Sequence, residues 1–174
     1  MKRVGTLSVM KCCLLAVVFT CFAVSCKFPG KGLDVEDGAL VKDSVEQMAI
    51  NISNDVSRNG PKAWLNYFED SPGFFMATDG QLAFKDYPTA KNMVSTVIAK
   101  SISKITLNWK NIRIEPLTMS LASFAADFHE DLVLSSGAHL SVDGYFTSIA
   151  HFDGSRWKLR NMNWAIKKAA LPAK

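Results

Sequence analysis

The chain has 174 residues, 48% of them hydrophobic, with 20 Lys and Arg against 16 Asp and Glu, enough apolar material for one packed domain and too much for a disordered polymer. Three of the cations, Lys2, Arg3 and Lys11, precede Cys26 with no acid among them. The remaining 17 leave a body of formal charge +1, which excludes the basic excess of a dedicated nucleic-acid binder. All four cysteines (Cys12, Cys13, Cys21 and Cys26) fall in the first 26 residues, so the body has no disulfide, thiolate zinc site or Cys nucleophile.

Residues 1–25 have the form of a signal peptide. A positive start leads into an apolar run from Cys12 to Val24, broken only by Thr20. The run is shorter than the ~20 residues of a membrane span and suits a signal-peptide core. Its end, Ala23-Val24-Ser25-Cys26, resembles a bacterial lipobox, although Ala23 stands where Leu is usual. That resemblance implies that Cys26 becomes the first mature residue and carries a lipid, which would hold the protein to the membrane on the extracytoplasmic side of the bacterial envelope. Small residues at Ala23 and Ser25 also satisfy ordinary secretion, which would leave a soluble periplasmic protein. A Cys directly after the cleavage point has a purpose only in the first case. Residues 26–34 then form the lipidated Cys and a short tether.

The body, residues 35–166, opens with a helical pattern. Val41, Val45, Met48, Ile52 and Val56 recur at steps of three and four and place one stripe against a core. Gly60 stops this helix and Pro61 opens a second, short one reaching Phe68. Asp79-Gly80 between apolar runs predicts a hairpin, and Pro88 to Ile102 reads as a third helix. From Lys104 the period changes to two. Ile105, Leu107 and Trp109 share a face, then Ile112 and Ile114 fall out of phase, which predicts a β-bulge near Lys110-Asn111. Pro116 is expected to end that strand. Met119 to Leu134, Ala138 to Phe152 and Arg156 to Ile166 are three more strands, and residues 167–174 form a basic tail. Helices followed by a meander of long strands give an α+β class.

The stretch Gly144-Tyr145-Phe146-Thr147, the turn Asp153-Gly154 and the strand start Trp157-Lys158-Leu159 together resemble the last two strands of SnoaL-like proteins, in the nuclear-transport-factor-2-like superfamily. The resemblance covers about residues 35–166. It implies a cone-shaped barrel in which a curved antiparallel sheet packs against three N-terminal helices, with a ligand-sized cavity between them. The superfamily includes cyclases, isomerases, dehydratases and non-catalytic binding domains, so activity must be argued from the site. Many of its members also pair through the outer face of the sheet, which implies a homodimer.

Strand parity gives candidate site residues. Trp157 and Leu159 set the inner face of the last strand, and Asn161 and Asn163 share their parity. Ser148 and Phe128 face inward on the neighbouring strands, and Trp109 and Trp64 narrow the cavity. The polar groups expected inside are Ser120, Ser148, Asn161 and Asn163, none of which titrates near neutrality. The expected function is therefore binding of a small apolar or amphipathic ligand, or an interaction module, with no cofactor. The alternative is an isomerase, dehydratase or cyclase whose general base comes from the helices, with Asp70 or Asp86 as the candidates. Asp127, His129 and Asp131, with His139, Asp143, Tyr145 and His151, alternate on the outer face. Their spacing lacks any tight metal signature, so no metal site is expected.

Fractionation of cells expressing the full chain checks the leader. The wild type is expected in the membrane fraction at the mass of a lipidated chain, and Cys26→Ser in the soluble fraction. A soluble, unlipidated wild type would refute the lipid anchor.

Overall fold

The computed structural model describes residues 33–167. Helix α1, Val35–Asn59, starts where the Asp34 carboxylate accepts the Asp37 N–H at 2.8 Å and stops at Gly60, whose N–H returns to the Val56 carbonyl. The five residues of the expected stripe are all buried, with Ala49 beside them. Pro61–Asn66 follows as a 3₁₀ helix. The hairpin is β1, Met76–Thr78, and β2, Gln81–Phe84. Helix α2, Tyr87–Met93, is capped by the Asp86 carboxylate on the Thr89 N–H, and runs on through a π-helical turn, Val94–Ile98, to Ser101.

Four long strands complete the chain: β3 (Ile102–Thr118), β4 (Leu121–Leu134), β5 (His139–Phe152) and β6 (Trp157–Ile166). The sheet order is β2-β1-β6-β5-β4-β3. It departs from the expected antiparallel barrel in two ways: β1 pairs with β6 in parallel, and the sheet stays open. Pro116 lies inside β3 instead of ending it. A proline is tolerated there because β3 is an edge strand. On the free side of that edge, α1 supplies partners. Ser53 Oγ donates to the Leu107 carbonyl, Ser57 Oγ accepts the Leu107 N–H at 3.0 Å, and Trp109 Nε1 donates to the Ala49 carbonyl at 3.0 Å.

Two bulges of the sheet carry a left-handed asparagine. The first is the one expected: between Lys110 and Arg113 the pairing with β4 slips, and Asn111 takes φ 50°. The second was not foreseen. Between Ile149↔Arg160 and Thr147↔Asn163 two residues of β6 stand against Ser148 alone, and Asn161 takes φ 52°. Asn is among the few side chains that adopt this left-handed conformation at low cost. The extra residue reverses the parity of the strand. Trp157 and Leu159 are buried before it, Met162 and Trp164 after it, and Asn163 is exposed. The inward placement expected for Asn163 is therefore corrected.

The bulge can be tested by urea unfolding. Asn161→Gly is expected within ~0.5 kcal/mol of wild type, because Gly accepts positive φ freely. Asn161→Val should cost about 1–2 kcal/mol, since a β-branched residue is strained there. Asn163→Leu, on the exposed face, should shift stability by less than ~0.5 kcal/mol.

Candidate functional site

The parity change at Asn161 turns Met162 and Trp164 toward the helices, and these two form one side of a cavity of about 360 Å³. Pro61 and Trp64 close it from the 3₁₀ helix, Phe68 from just beyond that helix, Val94 and Ile98 from the π-helical turn, and Met76, Thr78, Ala83 and Phe84 from the hairpin. Ile102, Ile105, Glu130 and Phe146 complete the wall. All of these residues but Thr78 and Glu130 are apolar. The volume lies at the lower end of the ~300–1,000 Å³ typical of small-molecule sites.

Behind the wall is an aromatic cluster. Trp164 lies 4.1 Å, centroid to centroid, from Phe128, and packs edge-on to Trp64 at 5.5 Å. Gly144 makes the Phe128 position available, because a Cβ there would stand 2.3 Å from the Phe128 ring. Trp109 packs edge-on against Phe124 at 5.6 Å and Trp64 at 6.3 Å.

Among the described residues Glu130 is the sole ionisable one in the cavity wall. It continues the inward series Ala122, Phe124, Ala126, Phe128 on β4, and only 9% of its surface is exposed. Its cross-strand neighbours are Leu107 and Val142, both apolar. No hydrogen bond or ion pair to its carboxyl occurs among the described residues. Burial without compensation disfavours the charged form, and pushes the pKa up to about 7. The sequence expectation that nothing inside titrates near neutrality is thus corrected, and the signal was present: Glu130 has the parity of Phe128.

Of the residues expected at the site, only Trp64 lines the cavity. Phe128 and Trp109 stand one layer behind it. Ser148 is buried and donates to the Arg160 carbonyl at 2.9 Å, a scaffold contact opposite the bulge. Asn161 sits at the bulge with its Oδ1 buried and unpartnered, away from the cavity wall. Asp70 is exposed, and Asp86 is spent on the α2 cap, which holds its carboxyl below the usual range. Neither reaches the cavity wall. Cys26 lies outside the described residues.

The outer face is also organised by charge. His129 Nδ1 lies 2.9 Å from Asp143 and its Nε2 lies 3.4 Å from Asp131; the hydrogen bond to Asp143 raises the imidazole pKa. At the lower end of the sheet the buried Glu69 carboxylate meets His151 Nδ1 at 3.2 Å and Arg160 Nε at 3.4 Å. Among the described residues no group of three His, Cys, Asp or Glu has metal-holding geometry.

Glu130 makes stability depend on pH. Its pKa rises from 4.5 to about 7 on folding, so the folded state binds more protons across that window and loses stability as pH climbs through it. Urea unfolding at pH 4, 6 and 8 should show the stability of Glu130→Gln, relative to wild type, rising by about 3 kcal/mol across the series. An unchanged difference would show that Glu130 ionises as it does in water.

No family model matches the chain, and no curated protein matches it. Solved structures do. A nuclear transport factor 2-like superfamily protein from Salmonella enterica serovar Typhimurium LT2 superposes with a TM-score of 0.64 at 15% identity, covering 78% of this chain and 97% of that one. A hexachlorocyclohexane dehydrochlorinase, LinA-type3, from Novosphingobium barchaimii LL02 superposes at 0.62 with 13% identity, covering 78% and 92%. At such identities the likeness speaks for the backbone alone, and it gives this chain the α+β fold of the nuclear-transport-factor-2-like superfamily.

Proposed function

We propose that this chain is a SnoaL-like binding protein that takes up a small apolar or amphipathic molecule between its sheet and helices. In this reading a lipid on Cys26 holds it to a membrane on the extracytoplasmic side of the bacterial envelope, as the leader sequence supports. The observation that carries the reading is the cavity wall, apolar except for Thr78 and one buried carboxyl. Such a wall favours burial of apolar surface at roughly 25 cal/mol per Å², while single polar groups fix orientation.

A second reading has one observation in its favour. A carboxyl with a pKa of about 7 is matched to general-base work near neutrality, and one structural neighbour is a dehydrochlorinase. Against it, the cavity wall offers no His, Arg, Lys, Tyr or Asn side chain to stabilise the charge that proton abstraction creates. Binding is therefore the reading preferred.

Uptake of the neutral fluorophore N-phenyl-1-naphthylamine tests it. The wild type should enhance the dye's emission saturably. Ile98→Trp, which fills the cavity, should weaken the affinity at least tenfold, and Asn163→Leu should leave it within twofold. No saturable uptake, or equal uptake by Ile98→Trp, would refute cavity binding.

A further inference from the structure

The cavity contains an electrostatic asymmetry. One carboxyl faces it, and no cation of the protein faces it from the 3₁₀ helix, the hairpin, α2 or the strands that form its wall. The carboxyl also has no hydrogen-bond donor among the described residues. A buried carboxylate without a partner is costly, and proteins ordinarily neutralise it with an Arg, a Lys or backbone N–H groups. Among the described residues the rest of the wall is apolar except for Thr78.

The rest of the wall is rich in aromatic rings. Trp64, Phe68, Phe146 and Trp164 all contribute to it, and aromatic faces carry negative potential that attracts ammonium groups within about 6 Å. An anionic ligand would meet repulsion from Glu130. A neutral ligand would leave the carboxyl to take up a proton. A protonated amine would supply the missing counter-charge and at the same time bury its apolar body.

We infer that the ligand is an apolar amine, whose ammonium group pairs with Glu130 while its hydrocarbon part lies against the cavity's aromatic side chains. This deepens the binding function proposed above and rests on it. Pairing requires ionised Glu130, so binding releases the carboxyl proton and strengthens as pH rises. Of the residues in the wall only Glu130 titrates, and its neighbours Leu107 on β3 and Val142 on β5 add no competing charge.

Three eight-carbon probes, octylamine, octanol and octanoate, separate the inference from the reading beneath it. Trp64 and Trp164 report occupancy through intrinsic fluorescence in titrations of the full chain. At pH 8 octylamine should bind at least tenfold more tightly than octanol, with octanoate weakest. Its affinity should fall about tenfold between pH 8 and pH 6, as a group with a pKa of about 7 changes from mostly ionised to mostly protonated, while octanol binding stays constant. Glu130→Gln and Glu130→Leu should both abolish the preference for the amine and keep octanol binding. If octanol or octanoate equals octylamine, or if the variants retain the ranking, amine recognition is overturned and cavity binding survives. If none of the three perturbs the tryptophans, both are overturned.

Discussion

The left-handed backbone at Asn161 decides which way the second half of β6 faces, and the cavity depends on that decision. Before the bulge, Trp157 and Leu159 turn inward and join the core under α1. After it, the inward residues are Met162 and Trp164, which line the cavity, and Trp164 meets Phe128, Phe146, Trp109 and Trp64. Without the extra residue, Asn163 and Ala165 would stand where the aromatic wall is, because a one-residue slip exchanges the two faces of a strand. The neighbouring strand accommodates the bulge with a small residue. Ser148 sits opposite the extra residue and bonds the Arg160 carbonyl.

Against this packed aromatic background, Glu130 stands out as a local inconsistency. Much of the rest favours stability: α1 is capped at both ends, its apolar stripe is continuous, and the turn at Asp153 is closed by three hydrogen bonds from Ser155 and Arg156. Departures from such consistency concentrate where a protein does something other than fold. Glu69 is also a buried acid, but His151 Nδ1 lies 3.2 Å from it and the Arg160 guanidinium 3.4 Å. The two carboxyls share burial and differ in partners. That difference, more than exposure, marks Glu130 as the group left available to a ligand.

Much of this was legible in the sequence, and the misses have physical reasons. The α1 stripe and the bulge at Asn111 follow from periodicity, and the hairpin follows from the Asp79-Gly80 turn pair. The bulge at Asn161 carried the same signal, since Leu159 and Met162 are out of phase just as Trp109 and Ile112 are. Two asparagines on the face of Trp157 offered an alternative that made the break easy to overlook. Glu130 was equally readable by counting on from Phe128. The cavity was not, because its wall draws on eight separate elements whose spacing only packing fixes. Asp86 shows the converse: its sequence position suits both a cap and a base, and only the hydrogen bond to Thr89 distinguishes them.

The hydroxyls of Ser53 and Ser57 have a consequence beyond the fold they complete. An open sheet ends in a row of free donors and acceptors, and a second polypeptide can add itself to such a row as a further strand. Leu107 is the sixth residue of the seventeen-residue edge strand. Its two backbone groups are already taken by the helix lying over them, and at the opposite border β2 is only four residues long. Both borders therefore offer little purchase for templated stacking of one copy on another.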